Sequence, residues 1–200
     1  LGADSEVTSL SLTGEFTSLD KPYEYGNAAL AQINLGTITK VSANCSVNLK
    51  LGGEPSLFGA IVAQNGGVME NCTNDGNVNI EVAVGNKSGK DVGCANFGGG
   101  LAAYGHTIAG LDAKTGIYFA DATCRAGKFI GCVNSGSISV KATGGSKVLG
   151  ISTYGGICGI VELDGVTFEN CRNTGAISRV SDGEGSEDAS TCVGGILGRC

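Results

Sequence analysis

The sequence predicts an all-β chain folded as a right-handed parallel β-helix, a solenoid of irregular turns with loop and hairpin excursions. Three observations carry that expectation. First, a phrase recurs, most clearly from Tyr154 to Val180: an aromatic or apolar opener, two glycines, an aliphatic, then Asn-Cys, Asn-x-Gly and apolar residues at strand spacing. Second, Val78, Ile80, Val82 and Val84 alternate with other residues, the period-two pattern of a strand with one buried face. Third, no stretch shows capped helical periodicity.

The repeat keeps its period by two separate landmarks. The openers Phe58, Phe97, Tyr154 and Val193 are separated by 39, 57 and 39 residues. The closing asparagines Asn34, Asn74, Asn134 and Asn173 are separated by 40, 60 and 39. One interval is longer by about twenty residues in both series, which places an insertion at 104–128. The chain therefore reads as one domain over 1–200. Residues 1–40 form a divergent first turn or cap. Full repeats span 58–96, 97–153 and 154–192, and 193–200 opens a further copy, so the natural protein is expected to continue.

Local chemistry supports each part. Asn-x-Gly marks a tight corner, because both residues tolerate positive φ. Ile138 and Val140 repeat the strand pattern; Ile177 does too, but Val180 falls one place out of step, as at a bulge or strand end. Parallel stacking brings equivalent residues to about 4.8 Å. Asn74, Asn134 and Asn173 then form an amide ladder, and Cys72, Cys132 and Cys171 an inward row of thiols. Parallel Cβ vectors direct such thiols poorly toward disulfides, and small buried hydrophobes describe them better. The nine cysteines cannot all pair within one chain.

Composition narrows the function. With 16% charged residues and a net charge of −6, the chain lacks the basic cluster that a polyanion needs, so no nucleic-acid partner is expected. No apolar run reaches the ~18 residues of a membrane span, so no direct membrane insertion is expected. The opening LGADSEVTSL lacks an initiator Met and a signal peptide's basic and apolar regions, and reads as a mature or trimmed start. The only histidine, His106, supplies neither a zinc site nor a nucleophile elbow, and no cofactor is expected. Oligomeric state is not legible.

Three candidate sites follow from residue chemistry. Outward acids on neighbouring turns (Asp112, Asp121 and Asp164, with Glu162 and Glu169) are the catalytic candidates if the chain cuts polysaccharides, since glycoside hydrolysis uses paired carboxylates. Scattered acids usually serve only as a solvated surface. The insertion gathers Tyr104, Tyr118, Phe119 and Arg125, in a chain with few aromatics elsewhere; rings offer faces to sugars and Arg fixes their polar groups. The competing reading is that Tyr118 and Phe119 pin the insertion down. The acidic loop holding Asp182, Glu184 and Asp188 offers oxygen ligands to Ca²⁺ but lacks EF-hand spacing, and its composition suits a solvated loop. Asn44, Asn71 and Asn86 open glycosylation sequons, read here as coincidence.

Gly155-Gly156-Ile157-Cys158-Gly159 and Gly194-Gly195-Ile196-Leu197-Gly198 resemble the glycine-glycine-aliphatic-x-glycine signature of the GLUG repeat family. Asn170-Cys171-Arg172-Asn173-Thr174-Gly175-Ala176-Ile177 resembles the tail of such repeats. The resemblance spans 58–200. It departs at Ala60, which replaces the second glycine, and at Gly100-Leu101, where one aliphatic is expected. It implies a β-helix on a secreted or surface-displayed bacterial protein, of the kind found in gut Bacteroidetes and in non-catalytic regions of IgA-specific peptidases. An adhesin-like module for glycans or host glycoproteins is the expected role, extracellular or at the cell surface, and more a binder than an enzyme. A polysaccharide-active hydrolase or lyase, and a passive spacer, are the alternatives.

Overall fold

The computed structural model describes residues 1–18, 26–51, 56–83, 96–111, 118–143, 151–181 and 190–200. Among these the chain is all-β, built on four parallel sheets and one small antiparallel hairpin, with no helix. The first sheet pairs Glu6–Thr8, Thr37–Thr39, Val68–Glu70, Lys128–Ile130 and Thr167–Glu169. The second starts with Ser11–Ser18 and Ser42–Leu51. It continues through the split pairs Thr73–Asn74 with Val78–Ala83, Val133–Asn134 with Ile138–Thr143, and Arg172–Asn173 with Ile177–Ser181. The third pairs Asn27–Ala28, Ser56–Gly59, Asn96–Gly99, Ile151–Gly155 and Ser190–Gly194. The fourth pairs Ala31–Asn34, Val62–Asn65, Ala102–Tyr104, Cys158–Ile160 and Leu197–Arg199. Chain order visits the four sheets in one sequence, five times over.

Matching positions stack apolar side chains. Val7, Ile38, Met69, Phe129 and Phe168 share one row of the first sheet, and the Phe129 and Phe168 rings stack at 4.9 Å and 7°. Phe16, Val47, Val78, Ile138 and Ile177 form another row in the second sheet. Each fully buried side chain of this kind contributes about 1.5–3 kcal/mol. The rows meet in one continuous apolar core.

The registers revise several expectations. Asn34 does not join Asn74. Its Nδ2 donates to Asn65 Oδ1 (2.8 Å) at an interval of 31 residues. Asn74 lies opposite Ala43 instead. The Asn-x-Gly phrase thus occurs at two different corners, one leaving the fourth sheet and one inside the second, and spacing alone does not separate them. The described residues within 1–51, expected to start in a divergent cap, pair in register with the following passes at that shorter interval.

Phe97 is likewise not the opener of its repeat. Gly98 stands opposite Phe58 and Tyr154, and Phe97 opposite Leu57 and Thr153. With that shift Gly98-Gly99-Gly100-Leu101 aligns with Tyr154-Gly155-Gly156-Ile157, and the apparent extra residue disappears. A Cβ on Gly98 would lie 3.1 Å from the Tyr154 ring, so the missing side chain is where that ring sits. Val180 is not bulged either. It stays in register with Lys141 and points outward, 60% exposed, while Arg179 takes the position of Val140.

Corners use positive φ at a place the sequence did not suggest. Ser9, Lys40, Asn71, Gly131 and Asn170, with φ between 51° and 60°, follow the strands of the first sheet. The glycines of Asn-x-Gly are outside that region and are needed for space: a Cβ on Gly136 would lie 2.0 Å from Gly76 O, and one on Gly175 2.0 Å from Gly136 O. The double-glycine corner obeys the same constraint. A Cβ on Gly156 would fall 2.1 Å from Gly195 O and 2.3 Å from Asn173 Cγ, whereas Gly195 has nothing within 4 Å of its own. Gly156→Ala should therefore lower stability by about 1–3 kcal/mol, as overpacking does. Gly195→Ala should stay within about 0.5 kcal/mol of the parent or gain slightly. Urea midpoints compare them, and equal losses would contradict the close-approach account.

Candidate functional site

Two features stand apart from the repeating core: the buried polar ladders, and the excursion that leaves the fourth sheet at Gly105 and returns at Gly127. In the main ladder Asn74 Nδ2 donates to Asn134 Oδ1 at 2.7 Å, and Asn134 Nδ2 to Asn173 Oδ1 at 2.7 Å. Each asparagine also donates to the carbonyl of the glycine two residues on, at 3.1, 2.9 and 3.0 Å. The thiols follow the same spacing but bond to backbone. Cys72 Sγ donates to Ile38 O (3.5 Å), Cys132 to Met69 O (3.4 Å) and Cys171 to Phe129 O (3.4 Å). The neighbouring Cys171 and Cys72 thiols, then burial, push the Cys132 thiol above its ordinary value. All described cysteines are free thiols. These residues are structural, and their chemistry is spent inside the fold.

The excursion is an antiparallel ribbon. Thr107 N donates to Arg125 O (3.0 Å), Arg125 N to Thr107 Oγ1 (2.9 Å) and Ala109 N to Phe119 O (2.9 Å). Gly110–Leu111 then pairs with Tyr118–Phe119. Its root is anchored by residues whose role the sequence did not reveal. Ile108 N donates to Gln64 Oε1 (3.0 Å), and Ile108 packs on a second apolar cluster of Leu57, Ala63, Ala103, Tyr104 and Ile160. Tyr104 is 0% exposed and meets His106 edge to face at 5.0 Å. It is therefore a buried anchor under the ribbon and not part of an exposed platform. Phe119, 45% exposed, and Arg125, also exposed, lie on the ribbon itself. Tyr118 contributes its backbone to the hairpin.

His106 is fully buried and locked. Glu162 N donates to its Nε2 (3.1 Å), so Nε2 must accept and Nδ1 carries the proton, which it donates to Thr107 O (2.7 Å). Burial lowers its pKa, against a smaller opposing effect of the Thr107 bond. A neutral histidine bonded at both nitrogens is a clamp between the ribbon and the next pass of the chain, not an available base.

Of the expected acids, one is committed to its own turn and three stand exposed. Asp121 accepts from Thr123 N (2.8 Å) and Thr123 Oγ1 (2.6 Å), and these bonds hold its carboxyl below the usual range. A carboxylate committed to its own turn is poorly suited to donate a proton. Asp164, Glu162 and Glu169 are exposed. Asp112 and the calcium candidates Asp182, Glu184 and Asp188 lie outside the described residues. Among the described residues no three His, Cys, Asp or Glu side chains gather as a metal site.

What the structure does assemble is an outward polar face on the second sheet. Thr17, Asn48, Asn79, Ser139 and Ser178 stand side by side along the stacking direction. Asn79 Nδ2 donates to Asn48 Oδ1 (3.0 Å), and Asn48 Nδ2 to Glu15 Oε1 (2.9 Å). A neighbouring row brings Ser137 Oγ to Asn77 Oδ1 (2.8 Å) and Ser135 Oγ to the Asp75 carboxylate. Period-two alternation foretold an outward row, but not that register would align its polar groups. Comparison with known protein families, curated proteins and solved structures finds no match to this chain.

The His106 clamp gives a signed pH dependence. Its folded pKa lies below the unfolded value of 6.5, so its stabilisation is complete above that pH and is lost as pH falls through the folded pKa. Glu162 is exposed to solvent, yet partial desolvation of its carboxyl by the surrounding chain raises its pKa against the lowering effect of Arg199; this acts in the opposite direction, so the variant comparison matters. Parent and His106→Gln melting temperatures should be compared at about pH 7.5 and about pH 4.5. The parent should lose more than the variant on acidification; equal losses would remove the clamp.

Proposed function

We propose that this chain is a right-handed parallel β-helix of GLUG-type repeats, acting as a secreted or cell-surface binding module for glycans or host glycoproteins. The helix reading is supported by the five ordered visits to the same four parallel sheets, with equivalent residues in register. The resemblance is supported by the register at the double-glycine corner, which aligns Gly98-Gly99-Gly100-Leu101, Tyr154-Gly155-Gly156-Ile157 and Val193-Gly194-Gly195-Ile196. The binding reading rests chiefly on one observation. Polar side chains of successive passes are arrayed in register on the outward face of a parallel sheet, where a long ligand with many hydroxyls finds repeated partners. The ribbon, with Phe119 and Arg125 exposed, adds a second outward surface. Localisation outside the cell follows from the resemblance alone.

A screen against immobilised polysaccharides and mucin-type glycoproteins, read for both retention and released reducing ends, tests this function. Retention without release is the expected outcome. Release would replace the binding module with a polysaccharide-active enzyme. Neither retention nor release would contradict glycan binding and leave a passive spacer.

A further inference from the structure

The outer face of the second sheet carries a groove of about 320 Å³, lined by Thr17, Asn48, Asn79, Glu81, Ser139 and Lys141 and reaching the strand positions of Leu49 and Ile80, whose side chains belong to the core. That volume lies at the lower end of the range of small-ligand sites. The groove runs across strands, not along them. Its side chains come from four successive passes of the chain, held in exact parallel register. Neighbouring passes are about 4.8 Å apart, so hydrogen-bonding groups recur at that interval along the groove.

We propose that this groove binds one extended chain of a neutral, β-linked polysaccharide lying parallel to the stacking direction. The proposal rests on the glycan reading above and locates its ligand on the sheet, away from the ribbon. Three features select this occupant. An extended β-1,4-linked sugar chain advances by close to one strand spacing per residue; its residues alternate in orientation, so consecutive sugars meet consecutive passes and every second sugar presents the same face. Thr, Asn and Ser side chains both donate and accept, which matches hydroxyls that do the same. Charge balances inside the groove, where Glu81 stands in register with Lys141, and Glu15 bonds Asn48 at one end. Against a net charge of −6, that balance favours a neutral chain over a uronate or sulfated one. The row is also prearranged: the Asn79–Asn48–Glu15 hydrogen bonds hold the amides in place before a ligand arrives, which lowers the cost of ordering them.

The test is affinity electrophoresis of the whole chain through gels containing hydroxyethyl cellulose, xyloglucan or alginate. Ser139→Arg fills the groove from an outward position and leaves the core alone. Asn79→Ala removes one amide, and Phe119→Ala alters only the ribbon. The parent should be retarded by at least one neutral polymer and not by alginate. Ser139→Arg and Asn79→Ala should each weaken retention by about tenfold or more, with melting temperatures unchanged and Phe119→Ala unaffected. Retention abolished by Phe119→Ala but untouched by Ser139→Arg would overturn the groove while keeping glycan binding on the ribbon. Retention by alginate alone, or mucin binding without retention by any neutral polymer, would overturn the groove and leave the broader reading standing. No binding to any of these would overturn both.

Discussion

A buried side-chain amide that must satisfy all its hydrogen bonds is the constraint on which the rest of this structure depends. Asn74 illustrates it. One Nδ2 hydrogen goes to Gly76 O, the other to Asn134 Oδ1, and its own Oδ1 receives Gly76 N at 3.2 Å. An unpaired buried amide would cost about 1–3 kcal/mol, so the asparagine fixes its own corner and the position of the next strand together. Burial of one face forbids a one-residue slip between these parallel strands, because every side chain would turn to the opposite face, but a two-residue slip keeps the pattern. The ladder removes that freedom across the passes that carry Asn74, Asn134 and Asn173. The glycine requirement follows from it: corners close enough for amide-to-amide bonds at 2.7 Å leave no room for a Cβ two residues later.

Much of this was legible in the sequence because it depends on single residue types. The strand alternation at Val78 and Ile80, the Asn74–Asn134–Asn173 row, the matching cysteines and the excursion after Tyr104 all follow from pattern. What was not legible depends on neighbours in space. Asn34 and Asn74 carry the same Asn-x-Gly phrase at different corners, and only pairing distinguishes them. Gly98 serves as an opener because the Tyr154 ring occupies the space above it. The described residues within 1–51 pair regularly although their interval is shorter and Ala43 stands where later passes have asparagine. The role of His106 could not be inferred from a lone histidine, since its partner is a backbone N–H 56 residues away.

The same logic separates scaffold from surface. Asparagines, thiols and glycines that looked chemically suggestive are absorbed into satisfying the backbone, and Asp121 is absorbed into its turn. Tyr104, which sequence chemistry placed with the exposed aromatics, anchors the ribbon from below. What remains facing outward is the repetition itself. Residues that alternate with the core in each strand are brought into rows by the same register that the ladder enforces. A polar face of this kind needs no motif, because register aligns the outward positions of successive passes.

The most direct measurement of the ladder is NMR hydrogen exchange of asparagine side-chain amides in the native state. The Nδ2 protons of Asn74 and Asn134 should exchange far more slowly than those of Asn44, which is exposed in the adjoining strand. They should also show through-bond couplings to the next asparagine. Exchange as fast as that of Asn44 would mean that the amides bond to water and not to one another, and the account of what holds the sheets in register would be wrong.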